Sequence, residues 1–167
     1  MSAQTKPLIT VAVVGQSGVG KTTFIDTLAE GTAASGQYRT IGHCLRQKTV
    51  EFEEAKFVFW ELDLNYMYDE QSSVHLDEVN GIILMYSIGN WPSFAALMDA
   101  MSSLQFQEDT RGKHIMFVGN ELFPSGTTSA RVTRGNRRSL ATELGCSFFE
   151  LNVNERIDVK QAIEVMA

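Results

Sequence analysis

Short apolar runs alternate along the chain with longer segments in which apolar residues recur at helical spacing. Most positions in these runs are apolar, and the first run is rich in β-branched residues, as a strand that is buried on both faces of a sheet should be. They cover residues 8–14, 81–88, 114–118 and 146–151. This alternation predicts an α/β fold, in which a mostly parallel sheet carries helices on both faces.

Helical spacing is found in residues 22–30, 93–106, 139–144 and 159–166. Pro92 is typical of the start of the second helix, and Gly145 is typical of the end of the third. The last helix runs towards the end of the sequence, where it is either complete or cut short. The small residues of 31–36 predict a loop. Residues 50–52 and 56–62 flank a polar pair and predict a hairpin, which adds one antiparallel strand.

Composition narrows the class of protein. A length of 167 residues and an apolar content of 44% suit one globular domain over residues 1–167. The net charge of −6 argues against a protein that holds nucleic acid by neutralising phosphates. One segment contains four arginines, and because the chain is acidic overall we expect this segment to be a solvated loop followed by the start of a helix. Its members are Arg131, Arg134, Arg137 and Arg138.

The two cysteines, Cys44 and Cys146, lie far apart and lack a metal-ligand spacing, so neither a disulfide framework nor a zinc site is predicted. A reducing, cytoplasmic compartment is expected. No stretch approaches the ~20 apolar residues of a membrane span. The sequence ends at Ala167 without a terminal cysteine motif, so we expect any membrane association to come from a segment that is not present here.

Residues 15–22, Gly-Gln-Ser-Gly-Val-Gly-Lys-Thr, match the GxxxxGK[ST] pattern between a buried strand and a helix. The glycines let consecutive N–H groups point into one concavity, where they bind a β-phosphate at the positive end of the helix. Lys21 adds charge for the β- and γ-phosphates, and Thr22 offers a hydroxyl to Mg²⁺. The predicted nucleotide-binding residues are Gly15, Ser17, Gly18, Val19, Gly20, Lys21, Thr22 and Thr23. The alternative is a glycine-rich turn with a helix-capping threonine.

This loop and the Thr-Ile-Gly sequence at Thr40 resemble the Ras superfamily, most closely the Rab-type small GTPases. The resemblance covers nearly the whole chain. It implies a P-loop NTPase fold with a six-stranded, mostly parallel sheet between helices, and a ligand at the carboxyl ends of the strands. GTP or GDP with Mg²⁺ are the implied ligands. Thr40 is the implied sensor of Mg²⁺ and the γ-phosphate.

The segment that corresponds to the family's second switch departs from the family's sequence pattern. Residues 61–64, Glu-Leu-Asp-Leu, stand where the family has Asp-x-x-Gly. Glu61 is the implied Mg²⁺ residue, acting through water, and Asp63 is a rival metal partner. Leu64 replaces the glycine whose N–H meets the γ-phosphate. Asn65 replaces the catalytic glutamine and is one methylene short for positioning the attacking water, which leaves it a weak catalytic candidate.

The guanine-recognition motif, Asn-Lys-x-Asp in the family, reads Asn-Glu-Leu-Phe at residues 120–123. Asn120 is expected to keep its contacts. Phe123 replaces the carboxylate that accepts the guanine hydrogen bonds, so relaxed base selectivity is expected. In the last loop the N–H of Val153 is expected to reach the guanine oxygen, and Asn154 takes the place of the family's lysine.

Two hypotheses follow from the resemblance. The first is a Rab-like switch in signalling or trafficking that binds GTP and GDP, hydrolyses GTP weakly or not at all, and contacts effectors or regulators. These partners would bind Thr40 and the second switch, which runs over residues 61–71 from Glu61 to Gln71. The second is a pseudoGTPase, an interaction or scaffold module without turnover. A P-loop kinase is disfavoured because no lid-like arginine segment can be identified.

Overall fold

The computed structural model describes residues 5–30, 33–37, 44–67, 76–121, 132 and 134–166. Within these residues the chain alternates strands and helices and adds two short 3₁₀ helices, Leu64–Tyr66 and Leu76–Glu78. In chain order the strands and α-helices are β1 Leu8–Gly15, α1 Lys21–Ala29, β2 Ala33–Gln37, β3 Cys44–Glu51, β4 Lys56–Asp63, β5 Gly81–Ser87, α2 Trp91–Met101, α3 Leu104–Asp109, β6 His114–Asn120, α4 Arg134–Leu144, β7 Ser147–Leu151 and α5 Arg156–Glu164.

The strands form one sheet in the order β2-β3-β4-β1-β5-β6-β7. Strands β4, β1, β5, β6 and β7 are parallel, whereas β3 pairs antiparallel with both of its neighbours. The predicted fold class is confirmed, including the antiparallel hairpin strand. The chain passes from β1 first to β4 on one side and then to β5 on the other, so the strand order reverses at β1. In such sheets, ligands bind at the carboxyl ends of the strands beside this point of reversal.

The sheet has one strand more than the resemblance implies. Strand β2 occupies Ala33–Gln37 and pairs antiparallel with β3, with Ala34 opposite Val50. Our prediction of a loop was therefore wrong for residues 33–36, and residues 31 and 32 lie outside the described part of the chain. Pairing with the edge of β3 satisfies the backbone hydrogen-bonding groups whatever the side chains are, and composition alone does not reveal such pairing.

The helix predicted over 93–106 is two helices, and the single-helix prediction was wrong. Helix α2 ends at Met101 and α3 begins at Leu104. Ser103 lies between them and caps α3, because its Oγ accepts a hydrogen bond of 3.2 Å from the N–H of Phe106. Serine is a favoured N-cap, and this local interaction competes with continuation of the helix.

The core forms two apolar layers, one on each face of the sheet. Strand β1 shows the division: Val11 and Val13 contribute to one layer, and Ala12 and Val14 to the other. Helices α1 and α5 cover the first layer, which we call the α1–α5 layer. Helices α2, α3 and α4 cover the second, the α2–α4 layer. Within the described ranges, no helix is long and apolar enough to cross a membrane.

Arg137 is buried, which corrects the prediction of a solvated basic segment. It is only 4% exposed, and its guanidinium lies 2.7 Å from Oε1 of Glu150 on the neighbouring strand β7. A charge that is removed from water needs such a partner. The side chains of the other three arginines of that segment lie outside the described part of the chain.

Removing the partner of Arg137 is expected to destabilise the domain. In Glu150→Ala the buried guanidinium loses its counter-ion, and we expect a loss of about 2 kcal/mol, below the value for a fully buried pair because Glu150 is partly exposed. Denaturant unfolding measures it. The control is Glu51→Ala, which breaks an exposed pair with Lys6 at 2.9 Å and should leave the unfolding midpoint nearly unchanged. Equal midpoint shifts in the two variants would contradict a special role for the buried pair.

Candidate nucleotide site

The loop between β1 and α1 is shaped for an anion. Gly18 and Gly20 have φ angles of +84° and +105°, a region in which other residues are strained. Gly20 is the N-cap of α1, no described side chain caps the helix there, and its first turn contains no acidic residue. The N–H groups of the first turn, those of Lys21, Thr22 and Thr23, therefore lie at the positive end of the helix dipole with no side-chain cap.

Lys21 is a buried cation beside this loop. It is 4% exposed, and its ammonium donates hydrogen bonds of 2.8 Å to the carbonyl oxygens of both Gly15 and Gln16. Burial lowers the pKa of Lys21, and the nearby carboxylates of Asp63 and Glu61 oppose that effect. The side chain thus folds back over the loop and places positive charge where a phosphate would sit.

Thr22 and Glu61 present two oxygen atoms side by side. The hydroxyl of Thr22 donates a hydrogen bond of 2.5 Å to Oε1 of Glu61, which is buried at the end of β4. Hydroxyl and carboxylate oxygens suit Mg²⁺. Among the described residues, no group of three or more histidine, cysteine, aspartate or glutamate side chains could hold a metal by itself. Thr22 and Glu61 would supply two oxygen ligands to an ion that takes its other ligands from phosphate and water.

The segment predicted to be the second switch contains a capped turn near its start. Asp63 is the N-cap of the 3₁₀ helix Leu64–Tyr66, and its Oδ1 accepts a hydrogen bond of 2.9 Å from the N–H of Asn65. Leu64 is partly buried against the α2–α4 layer, whereas Asn65 is exposed. The start of this segment is therefore held both by the hydrogen bond to Asp63 and by the packing of the Leu64 side chain.

Asn120 links two loops of the predicted site: residues 15–22, which we call the phosphate loop, and residues 152–154 after β7, which we call the last loop. It is fully buried at the end of β6, its Nδ2 donates to the carbonyl of Val19 at 3.0 Å, and its Oδ1 accepts from the N–H of Val153 at 3.2 Å. Thr27 of α1 adds a hydrogen bond of 2.6 Å to the carbonyl of Val153. Sequence reasoning missed Thr27, although a polar residue among the buried positions of α1 was a usable signal.

The sequence profile of the Ras family matches residues 10–167. The chain belongs to the Ras family. It is similar to the Ras-related protein Rab-3B of Bos taurus, with 30% identity over 154 residues that cover 91% of this chain and 69% of that protein. It is also similar to the Ras-related protein Rab-3 of Caenorhabditis elegans, at 29% identity over the same shares. With the Ras-related protein Rab-3A of Homo sapiens, the identity is 28% over 156 residues, 92% of this chain and 70% of that protein.

In this Ras family member the structure brings together much of the predicted site. The phosphate loop, Glu61, Asn120 and Val153 are linked by the hydrogen bonds described above. The side chain of Val19 packs into the α1–α5 layer, so only its backbone can serve a nucleotide. Ser17 and Thr23 are exposed at the loop.

The predicted contacts to the base differ in detail from what we expected. The N–H of Val153 already donates to Asn120, so a contact with the guanine oxygen would have to share or replace that bond. Asn154 is exposed, and its N–H and Nδ2 donate to Oδ1 of Asn152 at 2.9 and 3.1 Å. Thr40, Phe123 and residues 68–71 of the second switch lie outside the described residues.

Proposed function

We propose that this chain is a Rab-like small GTP-binding protein that binds GTP and GDP with Mg²⁺ and acts as a nucleotide-dependent switch in intracellular trafficking or signalling. The observation that carries the proposal is the buried Lys21 ammonium, which lies over a glycine-rich loop at the start of α1, where no described side chain caps the helix. A cation and a row of N–H groups converging on one concavity form a binding site for the phosphates of a nucleotide.

Different residues of the site would bind different parts of the nucleotide and its metal ion. The N–H groups at the start of α1 would hold the β-phosphate, and the Lys21 ammonium would exchange two carbonyl partners for phosphate oxygens. Thr22 and Glu61 would hold Mg²⁺, which neutralises phosphate charge when it is bound. Asn120 keeps the phosphate loop and the last loop at a fixed separation, so that phosphates and base are recognised together.

We further propose that GTP hydrolysis is slow or absent. Phosphoryl transfer depends mostly on positioning and charge stabilisation. The side chain of Leu64 is held against the α2–α4 layer, and the hydrogen bond from the N–H of Asn65 to Asp63 fixes the backbone here, which restricts the approach of the Leu64 N–H to a γ-phosphate. The side chain of Asn65 is exposed and one methylene shorter than the family's glutamine, so it would not reach the attacking water in the same way. The same anchoring favours the second candidate, a pseudoGTPase module, because it opposes movement at the start of the second switch.

Effectors and regulators are expected at the two switches. In the described part of the second switch, Asn65 and Tyr66 are exposed, and Tyr66 presents 46% of its surface to solvent. Thr40 would link the first switch to the γ-phosphate, as in the family. Partners that bind these segments would therefore read the nucleotide state.

The proposed function is tested by the nucleotide that the purified chain carries. Denaturing the protein and separating the released nucleotides by chromatography is expected to yield GDP or GTP. Release of ATP would contradict the base assignment. Release of no nucleotide, together with no binding of added GDP or GTP by calorimetry, would contradict nucleotide binding altogether.

Restoring the family's residues in the second switch is expected to restore hydrolysis. The double variant Leu64→Gly with Asn65→Gln should raise single-turnover GTP hydrolysis about 10-fold or more, because it returns a γ-phosphate N–H contact and a water-orienting amide of full length. Asn65→Ala alone should change little. Circular dichroism checks that the loss of Leu64 packing has not unfolded the domain. A fast wild-type rate that falls sharply in Asn65→Ala would make Asn65 a working catalytic residue and overturn this prediction.

A further inference from the structure

We propose that Asp63 sets the nucleotide preference of the site, because its buried carboxylate repels the γ-phosphate and so makes the diphosphate bind more tightly than the triphosphate. The proposal rests on the proposed function, namely that the phosphate loop binds a guanine nucleotide. It assigns to Asp63 a role in specificity, whereas the resemblance suggested only a rival metal partner.

The alternation of side chains along β4 places Asp63 on the nucleotide side of the sheet. Phe57 and Phe59 belong to the α1–α5 layer, and the next positions on the same face are Glu61 and Asp63. Glu61 reaches Thr22 at the start of α1, which confirms the direction of this face. Asp63 lies about 6.6 Å further along the strand, at two residues of roughly 3.3 Å each.

The register of the sheet places Asp63 at the edge where phosphates bind. Asp63 is the direct partner of Gly15, the first residue of the phosphate loop, in the parallel pairing of β1 with β4. Both residues are the last of their strands, at the carboxyl end of the sheet. In a sheet of this topology, ligands bind beyond the carboxyl ends of the strands. Glu61 would therefore lie beside Mg²⁺, and Asp63, two residues further along β4, would lie closer to the γ-phosphate.

The carboxylate of Asp63 is held in place. It is only 8% exposed, and the hydrogen bond from the N–H of Asn65 holds one of its oxygens at the start of the 3₁₀ helix. It also acts on the cation of the site: of the two carboxylates that raise the pKa of Lys21 against the effect of burial, Asp63 has the larger influence. A fixed charge in a poorly solvated position interacts more strongly than one in water.

The balance of charge then decides between the two nucleotides. Lys21 already faces two carboxylates, and each additional phosphate brings further negative charge into the same space. A γ-phosphate added beside Asp63 creates a like-charge contact that a diphosphate does not make. We therefore expect GDP to bind about 10- to 100-fold more tightly than a non-hydrolysable GTP analogue in the presence of Mg²⁺.

Calorimetric titration of the nucleotide-stripped chain tests this. GDP and the non-hydrolysable GTP analogue are titrated at the same Mg²⁺ concentration into wild type, Asp63→Asn and Asp63→Ser. Both substitutions remove the charge and keep a side-chain oxygen that can cap the 3₁₀ helix. They should raise the affinity for the triphosphate analogue about 10-fold and change the GDP affinity less than about 3-fold. The control is Asp77→Asn, which removes an exposed carboxylate from Leu76–Glu78 and should leave the ratio unchanged.

The outcomes separate this proposal from the proposed function. If wild type binds both nucleotides and neither Asp63 variant changes their ratio, the proposal fails and the proposed function stands. If the Asp63 variants weaken the triphosphate more than the diphosphate, Asp63 is a metal ligand and not a repelling group, and the proposal also fails. If wild type binds neither nucleotide, the proposed function itself is overturned.

Discussion

Lys21→Ala is expected to weaken binding of a non-hydrolysable GTP analogue by about 100-fold or more, which corresponds to roughly 3 kcal/mol. The lysine is buried beside the loop, so its hydrogen bonds to phosphate would be charge-assisted and shielded from water. Thr22→Asn is expected to act in the same direction, because it removes the hydroxyl that lies against Glu61 and would contact Mg²⁺. Calorimetric titration in the presence of Mg²⁺ measures both effects.

Lys21→Ala should lower the nucleotide affinity far more than it lowers the stability of the fold. Burial disfavours the charged form of Lys21, and this cost offsets the two hydrogen bonds and the attraction to Asp63 and Glu61 that the variant loses, so the nucleotide-free variant is expected to unfold close to the wild-type midpoint. Lys48→Ala is the matched control, because it removes another lysine near α1, one that pairs with Asp26 at 2.7 Å. It should leave nucleotide affinity unchanged. Unchanged affinity in both Lys21→Ala and Thr22→Asn would contradict the assignment of the phosphate loop.

The phosphate loop could be predicted from the sequence because its chemistry is local. Eight consecutive residues, 15–22, carry the glycines, the lysine and the hydroxyl, and the strand and helix on either side are strongly patterned. The contact between Asn120, Val19 and Val153 is of another kind. It joins three distant segments through the order of β1, β5, β6 and β7, so the sequence indicated the residues through resemblance but not their hydrogen bonds.

The features that sequence reasoning missed depend on tertiary contacts or on competition between local signals. Arg137 was predicted to lie in a solvated segment because the chain is acidic overall, but α4 places it against Glu150 of the adjacent strand. Strand β2 exists because β3 offers an edge for pairing. At Ser103, the apolar spacing favours one continuous helix and the capping hydroxyl favours a break, and periodicity alone does not decide between them.

Gly20→Ala is expected to be more damaging than Gly18→Ala, although both glycines have a positive φ. The backbone strain is common to the two variants and amounts to about 1–2 kcal/mol in each. At Gly18 an added Cβ would meet nothing within 4 Å, whereas at Gly20 it would lie 2.4 Å from Nδ2 of Asn120. Gly20→Ala therefore adds a clash with a buried side chain that already bonds Val19 and Val153.

Asn120 cannot yield to that clash without losing those bonds. Moving it would leave polar groups unsatisfied in the interior, at about 1–3 kcal/mol for each group. We therefore expect Gly20→Ala to lower the free energy of unfolding by roughly 3–5 kcal/mol, against about 1–2 kcal/mol for Gly18→Ala. Denaturant unfolding of the nucleotide-free proteins distinguishes the two. Similar losses in both would mean that Asn120 is free to move, and that the link between the phosphate loop and the last loop does not hold the site together.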